Sequence, residues 1–315
     1  MVKPLLQVIC TFSNCSHMIE YFNSLEQRPL ERLAFLVGGM LLLWLLEGAI
    51  PLLSLQYKKN KLRHAGINFS FTLIHLIIHT GFAVVIVLLS DWSRAHNWGL
   101  IQWLGAGTLG AILIYFFILD FFGGWLVHLV QHKTAPLWRF HVIHHSDNNV
   151  DVTTGLRHHP FESVLRGVFF LAGVLVAGAP MYAVMIFQTA LVLATQFTHA
   201  NIHLPRRLDA VLSYFLVSPN MHKVHHHWQQ PYTDSNYGAV LSIWDRMFGT
   251  FMKLEPDQIR YGLDRYYPNE HDEHFGRLMA APFKGMKDVV HRKPGVETNL
   301  QQPTATVSTV EATTK

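Results

Sequence analysis

Histidines dominate the residues of this chain that could do chemistry. The stretch NMHKVHHH, 220–227, places His222, His225, His226 and His227 within six positions. A second triad, HVIHH, supplies His141, His144 and His145. Two HxxxH pairs complete the pattern, His128 and His132 in HLVQH, and His199 and His203 in HANIH. On an α-helix, side chains at i, i+3 and i+4 share one face. Each HxxxH therefore aims two imidazoles at one point, and each HxxHH aims three. The two pairs and two triads offer ten nitrogen ligands. That is too many for one ion and suits two ions with about five ligands each. Neutral imidazole binds iron, zinc, copper and nickel. A solvated basic patch explains one such motif but not four in series.

Other histidine pairs carry less. His75 and His79 in HLIIH are also spaced as HxxxH, inside an apolar run. Intramembrane histidines are functional suspects, and these are expected to face a substrate cavity or to pair with Glu47. His271 and His274 in HDEH lie in a polar stretch, where a solvated face or a weak zinc site is expected.

The elements that must position these groups are apolar helices. Half of the 315 residues are hydrophobic and 15% are charged, an imbalance typical of membrane proteins. Spans are expected at about 33–55, 67–90 and 99–127, each near the roughly 20 residues that cross a bilayer. The loop between the first two holds Lys58, Lys59, Lys61 and Arg63, which places it, and with it every dense histidine group, on the cytoplasmic face. The apolar run 164–198 is broken by AGAP at 177–180. Each half reads as short for a crossing, so a re-entrant hairpin or two tilted helices is expected. Asp120 falls two turns before His128 and is expected on its face, as an acceptor for a ligand imidazole or within a buried polar network.

The expected fold is thus all-α, a polytopic membrane bundle of about four spans, or three plus a re-entrant hairpin, capped by a cytosolic helical His-rich domain. The boundaries are an N-terminal segment 1–32, transmembrane helices 33–127, a His-rich domain 128–250, a cytosolic segment 251–293 and a disordered tail 294–315. The formal charge of +4 is concentrated beside the apolar runs and suits an anionic membrane surface; no nucleic-acid motif is present. The two cysteines, Cys10 and Cys15, do not make a disulfide framework, and the first residues lack a signal-peptide pattern.

Between about 120 and 251 the chain resembles the fatty acid hydroxylase/sterol desaturase superfamily of membrane di-iron oxygenases. The resemblance rests on DFFGGWLVHLVQH, LWRFHVIHHSDNNVDVTTGLRHHPFE, THANIHLP, SPNMHKVHHH and TDSNYGAVLSIWDRMFGTF, in that order. It implies a helical bundle with a cytosolic His-rich cap and a di-iron centre that activates O2, with zinc able to replace iron. It assigns the ten histidines above as ligands and His159, of the RxHP element, as an outer or alternative ligand. Arg157, Glu162, Asn201, Asn236 and Asp245 are expected to orient imidazoles or to hold loops, with an Asp245–Arg246 salt bridge as the plain alternative. His158 and His227 are read as neighbours outside the ligand set.

The implied activity is O2- and reductant-dependent hydroxylation, or desaturation, of a fatty acyl, sterol or related lipid drawn from the bilayer. No cytochrome b5-like domain, Rossmann fingerprint or iron–sulfur cysteine set is present. A separate electron donor of cytochrome b5, ferredoxin or reductase type is therefore expected, docking on the cytoplasmic face near the charged segment after residue 250. The rival readings are a membrane metal-binding or metal-transport protein, and a protein that keeps the metals as a staple or oxygen sensor.

Overall fold

The computed structural model describes residues 12–55, 57, 60–105, 107–263 and 274–283. Its helices are α1 (Phe12–Ser24), α2 (Pro29–Ala49), α3 (Lys61–Ala95), α4 (Leu100–Leu104), α5 (Thr108–Lys133), α6 (Ala135–His145), α7 (Pro160–Ala177), α8 (Met181–His199), α9 (Arg206–Phe215), α10 (Pro219–His225), α11 (Ile243–Met247) and α12 (Phe275–Ala280). Among the described residues there is no β-strand, only three isolated bridges. The His271 half of the HDEH pair and the tail 294–315 lie outside the described residues.

Five helical stretches are long and apolar enough to cross a membrane: Pro29–Ala49, Lys61–Leu104, Thr108–Lys133, Pro160–Ala177 and Met181–His199. Their outward faces are apolar, with Leu45, Leu73, Ile77, Val84 and Val168 all more than half exposed. Two boundaries differ from the sequence reading. Residues 99–105 form a turn and the short α4, so the third long helix starts at Thr108 and runs without interruption through His128 and His132. The two halves of the 164–198 run are fuller helices than expected. Pro160 sits at the first position of α7, where its missing N–H costs nothing, and His159 Nδ1 caps the helix by accepting from the Phe161 N–H at 3.2 Å. That lengthens α7 to 18 residues beside the 19 of α8.

The ends of the bundle are fixed by different chemistry. At one end Gly178 terminates α7 in the left-handed conformation, φ 65°, against Gly99 at φ 120°. A Cβ at Gly178 would lie 2.1 Å from the Trp98 carbonyl, and one at Gly99 would lie 2.4 Å from the Gly178 Cα. Trp98 Nε1 donates to the Leu175 carbonyl at 3.0 Å and Gln102 Nε2 to that of Gly178 at 3.0 Å. Between the ends, Leu119, Phe170, Val174, Val184 and Phe187 form the apolar core where α5, α7 and α8 meet. At the other end buried polar residues take over. Glu47, in the last turn of α2, accepts from the backbone N–H of Val152 at 2.7 Å and of Asn201 at 2.8 Å, and pairs with Lys61 at 3.4 Å. It therefore has no contact with His75 of the kind expected from sequence. This end holds the C-termini of α2, α5 and α8, the N-termini of α3 and α7, and all of α6 and α10.

A branched side chain at the Gly178 contact must force backbone apart and adopt a left-handed φ. Gly178→Val is expected to lower the thermal midpoint of the detergent-purified protein by several degrees, an order set by about 1–3 kcal/mol of overpacking, as read by a melting curve. An unchanged midpoint would show that the contact does not constrain the fold.

Candidate metal centre

Four helices deliver the imidazoles, and three of them owe their position to local signals. In α5, residues Phe121–Leu126 form a π-turn between the apolar half and the segment Val127–Lys133. Such a bulge inserts a residue into the ladder and rotates the rest of the helix. In α6, HVIHH occupies the last turns of an eleven-residue helix, with Arg157 donating from Nε to the Ile143 carbonyl at 3.0 Å and from Nη2 to Ser146 Oγ at 3.1 Å. Arg157 thus closes the C-terminus of the helix that carries His144 and His145, as a cation at a helix end should. α10 starts with a Ser218 cap on the Met221 N–H and Pro219 at its first position.

The result is two neighbouring groups of buried imidazoles. His128, His132, His141, His145 and His225 form one, and His144, His199, His222 and His226 form the other; in each, the ligand nitrogens lie within 4.8 Å of one another. The groups touch, with the His145 and His226 rings stacked at 4.7 Å. In the four-histidine group, His199 Nε2 lies 3.1 Å from His144 Nε2, 3.0 Å from His222 Nε2 and 3.3 Å from His226 Nε2. In the five-histidine group, His128 and His141 bring their Nε2 atoms to 3.1 Å.

Five of the outer nitrogens are tied down, while the Nδ1 atoms of His144, His145, His222 and His226 have no hydrogen-bond partner. His128 Nδ1 lies 2.9 Å from the Tyr237 carbonyl, His225 Nδ1 2.7 Å from that of Ser235, and His199 Nδ1 2.8 Å from that of Thr195. His141 Nδ1 lies 2.9 Å from Glu162 Oε1, and His132 Nδ1 3.2 Å from Asp234 Oδ1. A ring that donates Nδ1–H outward presents an unprotonated Nε2 inward, the tautomer a metal requires. Meanwhile the Nε2 atoms of His145 and His225, buried in the group, have no hydrogen-bond partner. Buried polar atoms are rarely left so, and a cation would satisfy them. Outside the long helices, the pKa values of His141, His144, His145, His222, His225 and His226 all lie well below the usual imidazole range. Burial is the first cause, followed mostly by crowding among the rings. The groups are neutral at pH 7, again the ligating form.

Several sequence expectations are corrected. His203 is exposed and joins neither group. The HxxxH argument requires a helix from 199 to 203, but α8 ends at His199; Ala200 turns extended, and the His203 N–H bonds to the Ile50 carbonyl instead. The division is accordingly five and four. His159 points away as the α7 cap and reaches the Met279 carbonyl at 3.3 Å. Its neighbour His158 is the one beside the centre, stacked on His144 at 4.5 Å. Asp120 contacts no imidazole. It accepts from the Val240 and Leu241 N–H groups and from Trp244 Nε1 at 2.9–3.2 Å, the buried-network alternative. Asp245 does not pair with Arg246; it accepts from Trp125 Nε1, the Tyr237 and Gly238 N–H groups and Thr250 Oγ1.

Glu162 Oε1 contacts His141 Nδ1 and accepts in turn from Arg166 Nε at 2.9 Å. Asn201 and Asn236 hold loops, Asn201 through Leu53 and Asn236 through Met221 and Met252. His227 accepts from the Arg260 N–H at 3.2 Å. His75 contacts the His158 carbonyl at 2.7 Å, and His79 is exposed on α3.

Sequence reasoning missed a polar layer under the four-histidine group. His64 contacts both Asp147 oxygens at 2.9–3.0 Å and lies 3.4 Å from Asp151, which also accepts from the Tyr57 hydroxyl at 2.8 Å. Lys223, fully buried, donates to the His199 carbonyl. Burial lowers its pKa, opposed by Glu47, Asp151 and Asp147. These residues are scattered along the chain from Tyr57 to Lys223; Asp147 and Asp151 follow HVIHH and Lys223 sits inside HKVHH, but none has a spacing that points to this layer.

A helical membrane-type bundle with two buried polyhistidine groups at one end defines a class, and the comparisons agree with it. Residues 112–250 match the fatty acid hydroxylase family, so the resemblance read from the motifs is shown for that segment. Ornithine lipid hydroxylase of Rhizobium tropici is 28% identical over 177 residues, 55% of this chain and 51% of that protein. Alkylglycerol monooxygenase of Xenopus tropicalis is 34% identical over 143 residues, 45% and 30% of the two chains. A methylsterol monooxygenase of Arabidopsis thaliana is 29% identical over 140 residues, 44% and 51%. The chain spans about half or less of the length of these relatives. No solved structure matches it.

The geometry separates the two histidines of HANIH. His199→Ala is expected to remove metal from the purified protein, whereas His203→Ala is expected to keep the wild-type content, measured by elemental analysis. Equal losses from both variants would contradict the five-and-four division.

Proposed function

We propose that this chain is a membrane-bound oxidoreductase that uses a dimetal centre, O2 and a reductant to hydroxylate a lipid. The observation that carries the reading is the pair of touching, buried imidazole groups, one of which leaves the Nε2 atoms of His145 and His225 without partners. His128, His132, His141, His145 and His225 would hold one ion, and His144, His199, His222 and His226 the other. Iron is the ion that suits O2 chemistry, and zinc can occupy the same nitrogen set. The ions, when bound, supply O2 activation for C–H hydroxylation, or for desaturation by loss of a second hydrogen.

The protein's own part is positional. Glu162, Asp234 and the carbonyls of Thr195, Ser235 and Tyr237 hold the rings in register, and partners of this kind are worth about 10–100-fold in metal affinity. The surrounding apolar helices keep bulk water from the centre. The three relatives are named for ornithine lipid, alkylglycerol and methylsterol chemistry, which favours a lipid reaching the site from the bilayer. We place the site on the cytoplasmic side, because the basic loop before α3 is at the same end of the bundle. Electrons would come from a separate donor docking there, of cytochrome b5, ferredoxin or reductase type. Metal transport is less favoured: transporters set their ligands near the bilayer midplane, whereas these nitrogens gather at helix ends.

Protein made in iron-supplemented cells and purified in detergent is expected to carry about two metal ions per chain, both lost or sharply reduced in a His144→Ala/His225→Ala variant. Lipid extracts from expressing cells should contain a hydroxylated or desaturated product that requires O2 and reductant and is missing with the variant. A folded wild-type protein without metal would end the oxygenase reading. Bound metal without any such product would favour the metal-handling one.

A further inference from the structure

Helix α9 wears its apolar face on the outside. Leu208, Val211, Tyr214 and Phe215 repeat at helical spacing and are 46%, 65%, 67% and 70% exposed. Two polar positions turn inward: Ser213 is buried and Asp209 half-buried. The Ser213 carbonyl accepts from Ser242 Oγ at 2.7 Å and from Arg246, which pins the polar face to the loop before α11. A helix on the surface of a water-soluble domain is oriented the other way, and so large an exposed apolar strip marks a contact surface.

Two further observations say what covers it. The strip is continuous with the outward face of α5, one of the long apolar helices. Phe117, 39% exposed on α5, packs on Trp244 at 5.8 Å; Phe121 and Trp125 pack on Phe248 at 6.0 and 4.4 Å. Phe248 and Met247 are themselves 51% and 63% exposed beside α9, and Arg246 lies over the Tyr214 ring at 4.9 Å. The charges along the strip are mostly basic, with Arg206 and Arg207 at the start of α9, Arg246 at its end and Lys253 beyond; of these Arg206 pairs with exposed Glu255 at 3.1 Å. Aromatic and aliphatic side chains below arginines match the boundary between acyl chains and phosphates.

We infer that α9 and the adjoining Met247–Phe248 corner lie in the lipid headgroup–acyl boundary of the leaflet nearest the histidine centre, as an interfacial helix rather than part of a water-facing cap. The inference rests on the membrane reading of the long helices. It has a consequence for the site. Leu216 bridges to Leu241, the Val217 N–H bonds to the Val240 carbonyl, and Ser218 caps α10. The depth of α9 in the leaflet therefore sets the depth of His222, His225 and His226, and brings the centre down to the level of lipid carbons.

The test uses the full chain in phosphatidylcholine/phosphatidylglycerol vesicles, with Cys10→Ser and Cys15→Ser and a nitroxide attached at Val211→Cys. A parallel label at Tyr214→Cys covers failure of the first. Collision rates with lipid-soluble O2 and a water-soluble nickel chelate report depth. Val84→Cys on the outward face of α3 is the lipid reference, and Asp257→Cys, exposed in a polar turn, is the aqueous one. The α9 labels are expected to favour O2 over nickel by several-fold, close to Val84 and far from Asp257. An α9 label with the Asp257 ratio overturns the inference, as does one shielded from both probes, which would mean a protein partner or a second copy covers the face. If Val84 also reads as aqueous, the membrane reading itself falls; if only α9 does, the interfacial helix alone falls.

Discussion

The molecule depends on nine imidazoles held against one another inside protein. Burial alone would favour filling such a space with apolar side chains, because each ring brings two polar nitrogens that need partners. Five of the rings meet the demand by placing Nδ1 against a carbonyl or carboxylate on the outside. Of the nitrogens left over, the Nε2 atoms of His145 and His225 face the five-histidine group, where a shared cation would satisfy them. The fold around them reads as the means of keeping four separate segments in place for that purpose. α5 and α8 bring histidines at the ends of long helices, α6 comes after α5 across a single turn residue, and α10 is locked down by Ser218 and Asn236.

The carboxylates nearest the centre divide into two kinds of work. Glu162 and Asp234 touch imidazoles. Asp120 and Asp245 instead gather the backbone N–H groups and indoles of the segment 237–250, fixing the loop whose Tyr237 carbonyl meets His128. Each of these buried acids accepts two or more hydrogen bonds, which is what makes a buried carboxylate tolerable. The His64–Asp147–Asp151 layer is a third such device. It ties the start of α3 to the chain between α6 and α7, and so braces the two helices that carry or adjoin His141, His144 and His145.

The sequence made the centre legible wherever a helix is regular. HVIHH and HKVHH, and HLVQH past the π-turn, lie on helices, so counting three and four residues found their rings. It misplaced residues where the backbone departs from α. His203 was misread because α8 stops at His199, where the nearby N–H of Asn201 is taken by Glu47, an acid 154 positions away. Of the two roles open to Asp120, the structure shows the buried network, with the π-turn at Phe121–Leu126 intervening before His128. His158 lies outside both histidine groups but stacks on His144, whereas His159 caps α7; the chain there is not helical, and adjacent residues point apart. His64, Asp147 and Asp151 carry no spacing signal at all; only tertiary contact joins them. Likewise the outward apolar face of α9 is a short amphipathic pattern in the sequence, and its inversion shows only once its buried side is known.

The helix ends settle one remaining electrostatic question. A pair of divalent ions held mainly by neutral imidazoles would leave several positive charges buried with few anions to balance them. Four helices direct their C-termini at the centre: α5 carries His132 in its last turn, α6 carries His144 and His145, α8 carries His199, and α10 carries His222 and His225. A helix C-terminus bears about half a negative charge, focused within the last turn. Four of them converging in a low-dielectric interior supply a negative potential without any carboxylate in the ligand shell. Glu162 and Asp234 add charge one hydrogen bond further out. An all-imidazole centre is therefore compatible with two cations because the bundle's geometry, rather than its ligands, provides the counter-charge. That also explains why the rings sit at helix ends and why the centre lies at one end of the bundle.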